Sequence, residues 1–161
     1  MLKRIFRNIN CEDDGLGGGD DAAAYAACMA AYTACMNAKQ SHENTAATAR
    51  SNAATAKANA ENFQTQINDL TSKQGQLDAL GSQYSSFQSS LNEAWTGYSD
   101  LNGYETLGQD MECIKSFSEG LGTMIQTLET EKTTWETYAQ EQEELAEREQ
   151  KLADNMSCQS C

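Results

Sequence analysis

ENFQTQINDLTSKQGQLDALGSQYSSFQSSLNEAW, residues 61–95, and LGQDMECIKSFSEGLGTMIQTLETEKTTW, residues 107–135, decide the fold. The first carries Phe63, Leu70, Leu77, Tyr84 and Leu91, each seven residues from the last, and the second carries Leu107, Ile114, Leu121, Leu128 and Trp135 at the same spacing. A sustained seven-residue period marks a long α-helix that buries one stripe against another long helix. The ten residues are therefore expected to form a helix seam.

Between the two ladders lie Gly97, Ser99, Asp100, Asn102 and Gly103, the strongest turn signal inside the helical region. The chain is expected to reverse over residues 96–106, between a first helix over 21–95 and a second over 107–156. Reversal about position 101 pairs Gly81 with Gly120 and Gly122, Ile67 with Trp135 and Trp95 with Leu107. It also places the alanine stretch Ala46 to Ala60 opposite Leu145 and Leu152, and Cys158 near Asn44. Beyond Trp135 the old seam meets Gln142 and Glu149, so Tyr138, Leu145 and Leu152, prefigured by Phe117 and Met124, are expected to take it over.

The chain has no proline, and Ala, Gln, Glu, Leu and Met, strong helix formers, fill its second half. Upstream of the ladders the heptad beginning at Ala24 is nearly duplicated at Ala31, and Ala46-Ala47-Thr48-Ala49-Arg50 recurs as Ala53-Ala54-Thr55-Ala56-Lys57. Cys28, Cys35, His42, Ala49, Ala56 and Phe63 share one seven-residue register, which permits a single helix, with a break at 40–44 as the alternative because Ser41 and Asn44 are cap-type residues. The fold class read from this pattern is all-α: a long antiparallel helical hairpin, coiled-coil-like, with an alanine-rich N-terminal helical extension. Its apolar face is wider than one seam, so the hairpin is expected to be oligomeric.

Residues 1–10 form a basic amphipathic peptide, with Leu2, Ile5, Phe6 and Ile9 at helical spacing and Lys3, Arg4 and Arg7 between them. Residues 11–20 are acidic and glycine-rich and read as a hinge. The peptide is the best candidate for partner binding, and docking onto a larger protein assembly is the expected mode. Four apolar residues bury too little for stable membrane attachment alone. The start lacks the apolar run and cleavage site of a classical signal peptide, and no stretch approaches the roughly 20 apolar residues of a membrane span. A virion or cytoplasmic assembly is the expected setting.

A formal charge of −13, with 24 acidic and 11 basic residues, argues against a nucleic-acid surface, which needs a stripe of lysine and arginine. Six cysteines, Cys11, Cys28, Cys35, Cys113, Cys158 and Cys161, fall mostly in helical segments. Small disulfide scaffolds are loop-rich, so reduced thiols packed as small apolar residues are the expectation. Cys158 and Cys161, in the tail 157–161, have C-x-x-C spacing and with His42 are weak metal candidates, short of the four ligands of a structural zinc site. No nucleophile arrangement, phosphate loop or nucleotide fingerprint stands out, and neither a cofactor nor catalysis is expected.

Trp95-Thr96-Gly97, at the reversal between two helices, resembles the W-x-G turn of the WXG family of small secreted helical hairpins. The resemblance covers three residues plus topology. It implies a secreted helical-hairpin effector or its partner, although this chain is longer, carries six cysteines, and has Gln142 where an acid would follow Tyr138. The leading expectation is a non-catalytic structural protein that assembles through its seams and is anchored by its first residues, a component of a phage virion or other large particle or fibre. A thiol or metal-binding protein is the third reading.

Overall fold

A computed structural model describes residues 20–94 and 101–160. It contains two α-helices, α1 over Asp20–Ala94 and α2 over Leu101–Asp154, packed against each other, with no strand among the described residues. At 1.5 Å per residue, the 75 residues of α1 and the 54 of α2 span about 110 and 80 Å. The peptide at Leu2, Ile5, Phe6 and Ile9, residues 11–19 of the hinge, the Trp95-Thr96-Gly97 motif and Cys161 lie outside the described residues, while Asp20, the last of the hinge, begins α1.

Alanine carries no side-chain entropy penalty in a helix, and the long alanine-rich run of α1 exploits this. The many threonines and serines, weaker helix formers, turn their hydroxyls inward along the helix instead. Thr45, Thr48, Thr55, Ser82, Ser86 and Thr134 each donate to the carbonyl four residues earlier at 2.9–3.0 Å. The helix runs unbroken through 40–44 because Ser41 and Asn44 do not cap: their backbone carbonyls accept two of these bonds. At its far end α2 closes with Lys151 in the last turn, where a cation suits the negative pole of the helix, and Asn155 N–H donates to the Lys151 carbonyl at 3.1 Å.

The second helix begins at Leu101, six residues before the expected 107. Asn102 and Gly103 therefore belong to α2 and not to the turn, and the reversal is centred near 97.5, midway between Ala94 and Leu101. Each cross-helix partner number drops by seven as a consequence. Gly81 meets Ile114, whose Cγ2 would stand 3.6 Å from a Cβ built there, and neither Gly120 nor Gly122. Around Gly120 nothing lies within 4 Å of such a Cβ, so the expected glycine-to-glycine approach does not occur. The error is one full heptad, which is why the seam itself is unaffected.

The seam follows a strict alternation of three and four residues. On α1 it runs Ala46, Ala49, Ala53, Ala56 and Ala60, all buried, then part-exposed Phe63, buried Ile67 and part-exposed Leu70, and onward through Leu77, Gly81, Tyr84 and Leu91. On α2 Leu107, Ile114, Leu121, Leu128 and Trp135 occupy one line, and Ser118, Ala139, Ala146 and Ala153 another. Sequence periodicity marked the first line of each helix and overlooked the second. The seam does not migrate after Trp135. Small alanines at 139, 146 and 153 hold it, whereas Tyr138 and Leu152 stay exposed and Leu145 half-buried. Alanine thus faces alanine where Ala46 to Ala60 were expected to meet Leu145 and Leu152.

Candidate functional site

The open end of the hairpin, remote from the turn, concentrates the polar and sulfur chemistry. Cys35 on α1 is bonded to Cys158, just past the end of α2, in a disulfide with a Cα separation of 5.7 Å that bridges 123 positions of sequence. Cys28 is disulfide-bonded as well, while Cys113 is a free, exposed thiol. The expectation of reduced thiols packed as apolar residues is overturned. Cys35 occupies the seam one heptad before His42, and the tail after Asp154 continues along α1 to reach it, a pairing hidden by the expected register, which placed Cys158 near Asn44.

One heptad along, His42 Nδ1–H donates to Glu149 Oε2 at 2.6 Å. The Glu149 side chain is 15% exposed, and Arg148 Nε stands 3.6 Å from its other oxygen. The bond from His42 holds the Glu149 carboxyl below its ordinary range, against the opposing pull of desolvation. Where sequence showed His42 without a partner, the fold gives it a carboxylate from the second helix. Cys35, the neighbouring seam residue, is held as a disulfide. Cys158, one of the metal candidates, is bonded likewise, and no group of three His, Cys, Asp or Glu side chains among the described residues could hold an ion.

The middle of the seam contains a second polar insert. Ser118, buried, donates its hydroxyl to Asp78 Oδ1 at 2.7 Å, and Gln74 Nε2 donates to the Ser118 carbonyl at 3.1 Å. Among the described residues no buried side-chain nitrogen or oxygen lacks a partner. This polar layer ties the two helices together across the seam, because a carboxylate and an amide of α1 are both engaged by one buried serine of α2.

The two flanks of the seam differ in what they present. On one flank Lys57 Nζ meets Glu143 Oε1 at 2.6 Å and Arg50 Nη2 donates to Gln150 Oε1 at 2.9 Å, both across the helix pair. On the other stand Leu80, Phe87, Phe117 and Met124, with Phe117 63% exposed. Trp135, on the seam, packs edge-on against Tyr138 with ring centroids 6.2 Å apart and so links seam to flank.

No helix among the described residues is long and apolar enough to cross a membrane. No family model, no curated protein and no solved structure matches the chain.

Proposed function

We propose that this chain is a non-catalytic structural protein, a long rigid hairpin that assembles into elongated, coiled-coil-like helical oligomers and builds a virion, fibre or other large particle, docked there by Leu2, Ile5, Phe6 and Ile9. The observation that carries this reading is the apolar flank at Leu80, Phe87, Phe117 and Met124 on a two-helix rod. Two helices cannot close a core around it, and surface of this kind, left wet, marks an interaction site. A hairpin stapled at its open end by Cys35–Cys158 and joined at the other by the chain itself suits a strut.

The disulfides favour one further reading, a secreted helical-hairpin effector or its partner of the W-x-G type. Stable disulfides belong to extracellular, periplasmic or particle-surface settings, in contrast to the reducing cytosol. On the structural reading, the same disulfides favour the surface of a released particle over the cytoplasmic assembly also expected from the sequence.

Light-scattering mass combined with small-angle X-ray scattering on the full chain in non-reducing buffer, beside a chain lacking residues 1–19, tests the proposal. Elongated particles of several copies, reduced to small units by the truncation, are the expected result. A compact monomer with a radius of gyration near the roughly 15 Å of a globular chain of this length would overturn it. A discrete dimer insensitive to the truncation would favour the secreted reading.

A further inference from the structure

The two flanks of the seam can be assigned residue by residue. Lys57 and Arg50 each follow a seam residue, Ala56 and Ala49, and their partners Glu143 and Gln150 follow Gln142 and Glu149. Residues immediately after that seam line therefore share one side of the hairpin. Residues immediately before the other line share the opposite side, and its exposed apolar members are Leu80 and Phe87 on α1 and Phe117, Met124, Tyr138 and Leu152 on α2, with Asn52, Asn59 and Gln66 along the middle of α1.

This second side is nearly free of charge in a chain with 24 acids. From Ala31 to Phe87 the equivalent positions of α1 include one charged residue, Lys73, and on α2 from Phe117 to Leu152 they include one, Glu131. The exposed apolar side chains present roughly 600 Å², and the small residues and uncharged amides that share the face bring it to the roughly 800 Å² per partner that a stable interface buries.

We infer that this face binds a second copy of the same chain, antiparallel, in a four-helix bundle with a twofold axis passing between Thr134 and Trp135. The inference deepens the assembly reading above and rests on it. The stripe on α2 is self-complementary when reversed about that point. Phe117 then faces Leu152 of the second copy, Met124 faces Leu145, and the single acid, Glu131, faces the Tyr138 hydroxyl. A shift of one heptad in the pairing would put Glu131 on Glu131 or leave Phe117 without a partner. With Gly81 fixed against Ile114, the same rotation sets Leu80 level with Ser41 and Phe87 level with Ala34, large against small. Neighbouring helices all run antiparallel, the arrangement of up-and-down bundles. The basic peptide of residues 1–10 is a poorer occupant, because the acids that would attract it lie on the other faces.

The test uses the full chain with Cys113→Ser, so that Thr134→Cys, an exposed position beside the axis, supplies the single free thiol among the described residues. Sedimentation equilibrium is expected to give twice the chain mass or an even multiple, and copper phenanthroline to link Cys-substituted chains in pairs. Met124→Glu is expected to weaken the dissociation constant at least 100-fold, whereas Ser85→Glu, on the opposite flank, leaves it unchanged. A monomer at about 100 µM, equal linking from Ser85→Cys, or loss of the dimer on removing residues 1–19 would each overturn the inference. A larger assembly that survives Met124→Glu would overturn this face and leave the structural role standing. A dimer with no larger assembly would do the reverse.

Discussion

From Ala46 to Ala60 the seam of α1 is alanine throughout, and all five residues are at most 5% exposed. From Phe63 to Leu91 the same seam carries Phe, Ile, Leu and Tyr, with Gln74, Gly81 and Gln88 between them, yet of the large apolar side chains Ile67 alone is buried. The bulkier half is the wetter half. Alanine lets two backbones come close enough for each methyl group to be covered by the facing helix, whereas large side chains hold the helices apart and leave their own edges open when no third element covers them. The alanine half is complete as a two-helix structure and the bulky half is not, so the pressure to associate resides near the turn. Stability at the alanine end is limited in another way, because methyl groups contribute little apolar area each. The disulfide at Cys35–Cys158 and the His42–Glu149 bond stand at that end.

Reduction should therefore expose the largest contrast. A crosslink that closes 123 positions of sequence restricts the unfolded chain by about 4–5 kcal/mol on the chain-entropy account. Removing it together with the bond held by Cys28 is expected to lower the unfolding free energy by about 4 kcal/mol in a urea titration. Amide exchange should then accelerate over 42–60 and 139–153 before it does over 63–91. Equal acceleration along both helices, or an unchanged midpoint, would show that the alanine half does not depend on the clamp.

Substitutions of opposite sense should separate the halves next. Ala56→Leu inserts bulk into a fully buried site and is expected to destabilise by about 2–3 kcal/mol. Leu77→Ala removes bulk from a half-exposed one and should cost about 2 kcal/mol, the lower end of the range for leucine truncation. Thermal denaturation of both variants decides it. A neutral Ala56→Leu would mean that the helices are not closely apposed there.

How much of this was legible before the fold was in view follows from what each signal measures. Seven-residue spacing of large side chains is a local property, and it located Phe63, Leu77, Leu121 and Trp135 on the seam. Alanine gives no such signal, being common both inside and outside, so the lines through Ala53 and Ala146 were missed and Leu145 was credited with a seam position that Ala146 holds. Partnering across the hairpin depends on where the turn is centred. Asn102 and Gly103 carry turn propensity yet lie in α2, and that misreading moved every cross-helix pair by a heptad. It concealed Cys35–Cys158 and His42–Glu149 together, since neither pair is near in sequence.

The corrected pairing makes the glycines informative. Gly120→Leu, destabilising if glycine met glycine, should be tolerated, because open space surrounds that Cβ. Gly81→Ala and Gly120→Ala are each expected to raise stability by up to about 1 kcal/mol through helix propensity, with Ile114 at an ordinary contact distance from the first. Gly122→Ala should gain less. Its Cβ would come 3.2 Å from Gln74 Nε2, the end of a flexible side chain that would have to move while it donates to the Ser118 carbonyl. A loss of stability in Gly81→Ala would return the pairing to question.

The smallest expected effect concerns acid. Glu149 has a carboxyl pKa below its ordinary value in the folded chain, chiefly through the bond from His42, so folding binds fewer protons at that site than the unfolded chain does. Its contribution to stability is accordingly full above the ordinary carboxylate range, about 4, and is lost as pH falls through that range toward the lower folded value. His42→Gln should reduce this dependence and leave the shape of the unfolding curve at pH 7 intact. Comparing urea midpoints at pH 7 and pH 3.5 for the two proteins measures the difference. Because Glu149 lies at the alanine end, an acid-induced loss of amide protection should begin over 42–56. If protection fails first near Phe87 and Phe117, the weak end of the molecule in acid is the bulky half, and the dyad does not act as the anchor of the alanine seam.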